Sequence, residues 1–143
     1  MKLEILSFTW NLFKSDTVVS ITSATKSGQI TILDNHAPLV SVLIPWIIKV
    51  VYINEVWLKT ETDFAIWGWI LEVSNSQVKL LINMLITVDV LDIQEAEQAK
   101  HRALELMERY KWSKDKMEMA KFIEAEDMLL KSLAQLKLWD HWK

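Results

Sequence analysis

Cysteine is absent from this chain of 143 residues. Disulfides, thiolate nucleophiles and cysteine metal sites are therefore excluded, which fits a reducing compartment. Glycine occurs only 2 times, and no glycine-rich phosphate loop can be written from the sequence. A basic surplus is also missing: the net charge is −3, so electrostatics gives no general pull toward nucleic acid. Long apolar runs are missing too. The longest, residues 37–53, contains Pro45 and Lys49 and falls short of the ~20 residues a membrane-spanning helix needs. Residues 1–12 include Lys2 and Glu4 and carry no apolar block of signal-peptide length. The chain is expected to be soluble, though able to sit on a membrane-bound partner.

What is present suits a folded domain. Hydrophobic residues make up 51% and charged residues 24%, close to globular averages, so disorder as the main state is excluded. At this length about two-thirds of the unfolded surface can be buried. One count is abnormal in the other direction: there are 8 tryptophans. Together with the 2 glycines they match the roughly 10 glycines that average usage of about 7% predicts.

The chain changes character near Asp89. Before it, apolar residues alternate or run in short blocks: Lys2-Leu3-Glu4-Ile5-Leu6, the β-branched stretch Thr17-Val18-Val19-Ser20-Ile21-Thr22, Gln29-Ile30-Thr31-Ile32, and residues 39–43, 47–52, 70–73 and 77–82. Turn signals separate them at Ser15-Asp16, Ser27-Gly28, Asp34-Asn35, Asn54-Glu55 and Ser74-Asn75-Ser76. Many short strands at this spacing predict an antiparallel β-sandwich or barrel. After Asp89 the period becomes helical. Asp92 is placed as an N-cap, with Glu95 three residues on. Ile93, Ala96, Ala99, Ala103, Met107 and Tyr110 then share one face. Residues 111–115 are short and polar, and a second helix follows with Phe122, Ala125, Leu129, Leu133 and Leu136 on one face. So short a connection predicts an antiparallel helical hairpin. The expected division is residues 1–88 as sandwich and 89–143 as hairpin.

No catalytic constellation is visible. His36, His101 and His141 are scattered, with no pair at ligand spacing on one helix, so no metal site is expected. Nothing resembles a nucleophile elbow. The carboxylates Glu124, Glu126 and Asp127 lie among lysines and suit a solvated face. The methionines at 107, 117, 119 and 128 suit helix packing. The residues alone predict a protein that acts by binding and is not an enzyme, with no cofactor.

One segment is more specific. Ser27-Gly28-Gln29-Ile30-Thr31-Ile32-Leu33-Asp34-Asn35-His36-Ala37-Pro38-Leu39 resembles the signature segment of the epsilon subunit of F-type ATP synthases. Phe64-Ala65-Ile66-Trp67-Gly68-Trp69-Ile70-Leu71-Glu72-Val73 is similar to that family's Gly-Gly-apolar-x-Glu-Val strand, and Asp92-Ile93-Gln94-Glu95-Ala96 with Ala99-Lys100-His101-Arg102-Ala103 to the start of its first C-terminal helix. Order, spacing and length agree over essentially the whole chain. The resemblance implies a flattened sandwich of about ten strands followed by a helical hairpin. It implies a rotor subunit of the central stalk, coupling proton flow to ATP synthesis. Its partners would be the gamma subunit, the ring of c subunits and the alpha/beta catalytic head. It would be peripheral to the membrane, at the cytoplasmic face of the bacterial plasma membrane. The loop of Gly28, Gln29, Ile30, His36 and Pro38 would lie at the gamma and c-ring surface. The hairpin, with Asp92 and the basic residues Lys114, Lys116, Lys121 and Lys131, would act as a two-state brake on ATP hydrolysis. Members that bind ATP in the hairpin carry arginines where this chain has Glu95, Glu124 and Lys131; two carboxylates facing a triphosphate repel it, which argues against ATP binding. The other class of function the residues allow is a stand-alone sandwich that binds proteins.

The resemblance also bears on the tryptophans. Trp46 follows Pro45 where the family has Pro-Gly, Trp69 stands where the second glycine of Gly-Gly is expected, and Trp67 adjoins that pair. Trp112 lies in the interhelical connection, Trp10 and Trp57 at expected turns, and Trp139 and Trp142 in the tail. An interfacial aromatic belt would cluster on one face, whereas these are expected at turns, where glycine serves. The pattern suggests a gene whose UGA codons specify glycine, read here as tryptophan.

Overall fold

The computed structural model describes residues 1–8 and 10–142. Lys143, the expected end of the hairpin, lies outside the described residues. The strands are β1 Lys2–Leu6, β2 Asn11–Ser15, β3 Val18–Thr25, β4 Gly28–Leu33, β5 Leu39–Val42, β6 Trp46–Ile53, β7 Lys59–Ser74 and β8 Gln77–Ile86. A 3-10 turn, Val88–Val90, leads into helices α1 Ile93–Tyr110 and α2 Lys116–Trp142.

The sheet runs in the order β2-β1-β8-β7-β6-β3-β4, with β5 paired to β7 off this path. All pairs are antiparallel except β1 with β8. One strand explains how a single sheet becomes two layers. β7 pairs with β6 from Lys59 to Ile66 and with β5 from Ile70 to Val73. Between them its register against β8 shifts on both sides of Gly68. Extra residues in one strand bend it and increase its twist, so β7 leaves one layer and returns in the other. The bridge Thr25 to Leu43 joins the end of β3 to the end of β5. The fold class is as expected, a sandwich followed by a hairpin, but the strands number eight among the described residues rather than about ten. β7 and β8 stay continuous through the bend, where a count of separate short strands would divide them.

Alternation fills the sandwich. Leu3, Ile5, Ile21, Ile32, Ile48, Val50, Ile66, Leu71, Val78, Leu80 and Ile82 are fully buried between the layers. The alternate positions Ile47 and Ala65 point to the outer face and form a second, smaller cluster with Ala134 and Leu138 of α2. Trp46, Ile86, Val88 and Leu91 pack around it. The hairpin therefore lies down on the β6–β7 face of the sandwich.

Both helices of the hairpin are capped at their starts by aspartates. Asp92 is the N-cap of α1, its Oδ1 accepting from the Glu95 N–H at 3.1 Å. Asp115 Oδ1 accepts from the Met117 N–H at 2.9 Å and caps α2. Ala96 and Ala103 are the buried positions of α1. The second helix departs from the expected single face. Phe122, Leu129, Leu133 and Leu136 are only half-buried, while Ala125, Ser132, Ala134 and Leu138 are buried. The reason is that α2 has two neighbours, α1 and the β6–β7 face, so its apolar residues spread around the helix.

Candidate functional site

The segment expected to be one partner-binding loop is mostly strand. Gly28–Leu33 is β4, which among the described residues pairs only with β3 and is an open edge of the sheet. Gly28 takes φ +119, with nothing near where a Cβ would be, as the β3–β4 turn requires. Gln29 is exposed; Ile30 packs partly against the main core. The residues between β4 and β5 form the real loop. His36 N–H donates to the Leu33 carbonyl at 3.2 Å, and His36 Nδ1 lies 2.8 Å from the Ala37 carbonyl. Pro38 is exposed. A strand rises about 3.3 Å per residue, so the Gly28 and Leu33 ends of β4 stand roughly 16 Å apart. Gly28 and Gln29 occupy one pole of the sandwich; His36 and Pro38 occupy the other. At the second pole the N-terminal ammonium meets Asp34 at 3.1 Å.

A second exposed feature lies on β5 and the returning half of β7. Val40 and Val42 are exposed, and Val42 pairs with the exposed Ile70. Phe8 and Trp69, both exposed, contact each other edge to face, with ring centroids 6.2 Å apart.

The hairpin lysines divide into two groups. Lys114, Lys116 and Lys121 are exposed around the tip, Lys121 lying 5.5 Å from the Tyr110 ring. Lys131 is engaged: it pairs with Asp127 at 2.9 Å and lies 5.4 Å from the Trp67 ring of the sandwich. Glu95 and Glu124 are exposed on the helices.

Sequence reasoning missed the polar cluster at the far end of the docked helix. Lys49 of β6 stands opposite Asp63 of β7 and bonds Glu61 at 3.0 Å. Its ammonium is held above the usual lysine range, chiefly by the Glu61 hydrogen bond. Asp63 faces His141 of α2, Oδ2 to Nδ1 at 3.7 Å. These residues are remote in sequence, and no local spacing could have joined them. The tryptophans also need correction. Trp10, Trp57 and Trp112 do lie at turns, but Trp46 opens β6, Trp67 and Trp69 flank Gly68 inside β7, and Trp139 and Trp142 lie within α2.

Among the described residues no group of acidic or histidine side chains is disposed to hold a metal ion, and no helix is long and apolar enough to cross a membrane. The profile described as "ATP synthase, Delta/Epsilon chain, beta-sandwich domain" matches residues 1–88. The chain belongs to this ATP synthase delta/epsilon family. The chloroplast ATP synthase epsilon chain of Oltmannsiellopsis viridis is 30% identical over 122 residues, covering 82% of this chain and 87% of that one. The epsilon chain of Chloroflexus aurantiacus is 35% identical over 86 residues, 60% of this chain and 58% of that one. The same fold occurs in a chain of the Euglena gracilis mitochondrial ATP synthase solved as OSCP/F1/c-ring, with TM-score 0.74, 22% identity, and coverage of 92% and 76%. It occurs also in the Tetrahymena thermophila mitochondrial ATP synthase central stalk and c-ring, with TM-score 0.62, 17% identity, and coverage of 96% and 94%. This family member is thus a non-catalytic subunit of a membrane-associated complex, as the sequence predicts.

Proposed function

We propose that this chain is the central-stalk rotor subunit of an F-type ATP synthase, at the cytoplasmic face of a bacterial plasma membrane, coupling proton flow to ATP synthesis. The match of the family profile to the whole sandwich carries the reading. Residues 1–88 act as the domain that binds gamma and the c-ring; residues 89–143 act as the regulatory hairpin, reaching the alpha/beta head when extended. Partner contact runs along the β4 edge and its ends, through Gly28, Gln29, Ile30, His36 and Pro38. An open edge strand offers unpaired backbone groups as well as side chains. Ile30 contributes by shaping that edge, since it packs partly inward. Of the hairpin residues, Asp92 starts the helix, and Lys114, Lys116, Lys121 and Lys131 supply its positive charge. Co-purification tests the assignment: gamma and the c-ring should come down with the chain, and recovery of the chain free of both would favour a stand-alone binding module.

The tryptophans are proposed to be glycines in the native protein, through UGA codons that specify glycine. Trp57 supports this most directly: it takes φ +63 in the β6–β7 turn, a conformation that bulky residues rarely adopt. Trp112 in the interhelical turn and Trp69 beside Gly68 agree with it. Intact-mass measurement of the native protein decides the point, and tryptophan at all eight positions would reject it.

A further inference from the structure

The hairpin touches the sandwich through the second half of α2, and its apolar contact is thin. Ala134 and Leu138 meet Ile47 and Ala65, and beyond them the last turn of α2 carries His141. There the imidazole Nδ1 lies 3.7 Å from Asp63 Oδ2. Asp63 is short of partners. Its Oδ1 is buried without a hydrogen bond, and the Lys49 ammonium across the sheet is engaged by Glu61. The groups facing this corner are Glu61 and Asp63 of β7, Lys49 of β6 and Asp89 of the 3-10 turn. On α2 itself Asp140 precedes His141, and Lys137 stands one turn before it on the same side of the helix. The strands β3 and β4 contribute only uncharged residues, Thr22, Ser23, Gln29 and Thr31.

We propose that His141 and Asp63 form a proton-operated latch that ties the end of the hairpin to the sandwich. The imidazolium present at acid pH attracts the under-partnered carboxylate; the neutral ring at alkaline pH does not. The docked hairpin is therefore held more firmly in acid and released more readily as pH rises. This rests on the reading of the hairpin as a two-state element and adds the group that biases it. For one partly exposed pair the expected change in the open-to-closed ratio is roughly two- to fivefold.

The absence of cysteine allows specific labelling of the full chain. Donor and acceptor dyes on Glu105→Cys and Lys59→Cys report the distance between α1 and the sandwich from pH 5.5 to 8.5. The latch predicts that the open population of the parent rises with pH, that His141→Gln and Asp63→Asn remove this dependence, and that His141→Lys keeps the hairpin closed throughout. His36→Gln and His101→Gln should leave the dependence intact. A pH response that survives His141→Gln overturns the latch, as does a parent whose two populations are both present but insensitive to pH; in each case the two-state hairpin stands. A single unchanging distance in the parent and every variant overturns the two-state reading and the latch with it. Asp63→Asn could unfold β7, but His141→Gln lies at the exposed end of α2 and answers the question alone.

Discussion

Gly68 lies so close to Ile82 that a Cβ on it would stand 2.2 Å from the Ile82 Cα and 2.8 Å from the Asn83 nitrogen. Both are backbone atoms, so no side-chain rotation relieves the clash. The contact sits at the register shift where β7 crosses between the two layers. Gly68→Ala should therefore force β7 and β8 apart where both layers depend on them. Overpacking costs about 1–3 kcal/mol, and a backbone clash belongs at the upper end. Chemical denaturation should show that loss. A variant as stable as the parent would mean that the bend absorbs a methyl group freely.

Trp57 should be the opposite case. Asn54 organises its turn: Asn54 Oδ1 accepts from the N–H groups of Val56 and Leu58, both at 3.0 Å. Trp57 is 85% exposed and has little packing to lose. The other non-glycine residues with positive φ among the described residues are Asn35, Asn75 and Ser76, all small and polar. A left-handed conformation costs an L-residue roughly 1–2 kcal/mol, while glycine costs about 0.5–1 kcal/mol in unfolded-state entropy. The difference favours Trp57→Gly by somewhat under 1 kcal/mol, or about 1–3 °C in melting temperature at this size. Calorimetry of the two proteins measures it, and a lower melting temperature for the variant would count against a glycine-type turn.

These two positions show what the sequence made legible. Gly68 and Trp69 stood out against a family Gly-Gly pair, and the periodicity of residues 2–6, 29–32 and 77–82 located β1, β4 and β8. The N-cap Asp92 and the connection at 111–115 were also readable, because capping and helix periodicity are local. β2 was not anticipated, since Asn11–Ser15 has only Leu12 and Phe13 to mark it. The continuity of β7 was missed because its bend depends on β8. The separation of Gly28 from His36 was hidden by an unbroken stretch of sequence that reads as one motif. The Asp63–His141 contact joins residues 78 apart in number, and only the docked hairpin brings them together.

Leu138 tests how the hairpin is held. Its side chain is fully buried against the β6–β7 face. Truncation of a buried leucine costs about 2–5 kcal/mol. Here the loss falls on docking, because Leu138 belongs to the small outer cluster and not to the sandwich core. Leu138→Ala should speed amide exchange through the second half of α2 while leaving the amides of Leu80 and Ile82 protected. Equal loss of protection in β8 would show that the hairpin and the sandwich unfold as one unit.

The brake is the reading on which the charges of α2 bear most. Lys114, Lys116 and Lys121 are exposed near the tip, the part that the proposed extension would carry toward the catalytic head. Each exposed pair contributes ~0.2–1 kcal/mol and is screened by salt. Glu118, Glu124, Glu126 and Asp127 share the helix and offset much of that field. Lys131 is paired with Asp127 of its own helix, so its charge is offset whether the hairpin is down or extended. The expected inhibition of ATP hydrolysis is therefore mild, no more than a few-fold by this arithmetic, and weaker at high salt. ATPase rates of the assembled complex, with full-length chain and with residues 92–143 deleted, should differ at low salt and converge at high salt. Equal rates at low salt would remove the braking role and leave the sandwich's coupling role as the chain's contribution.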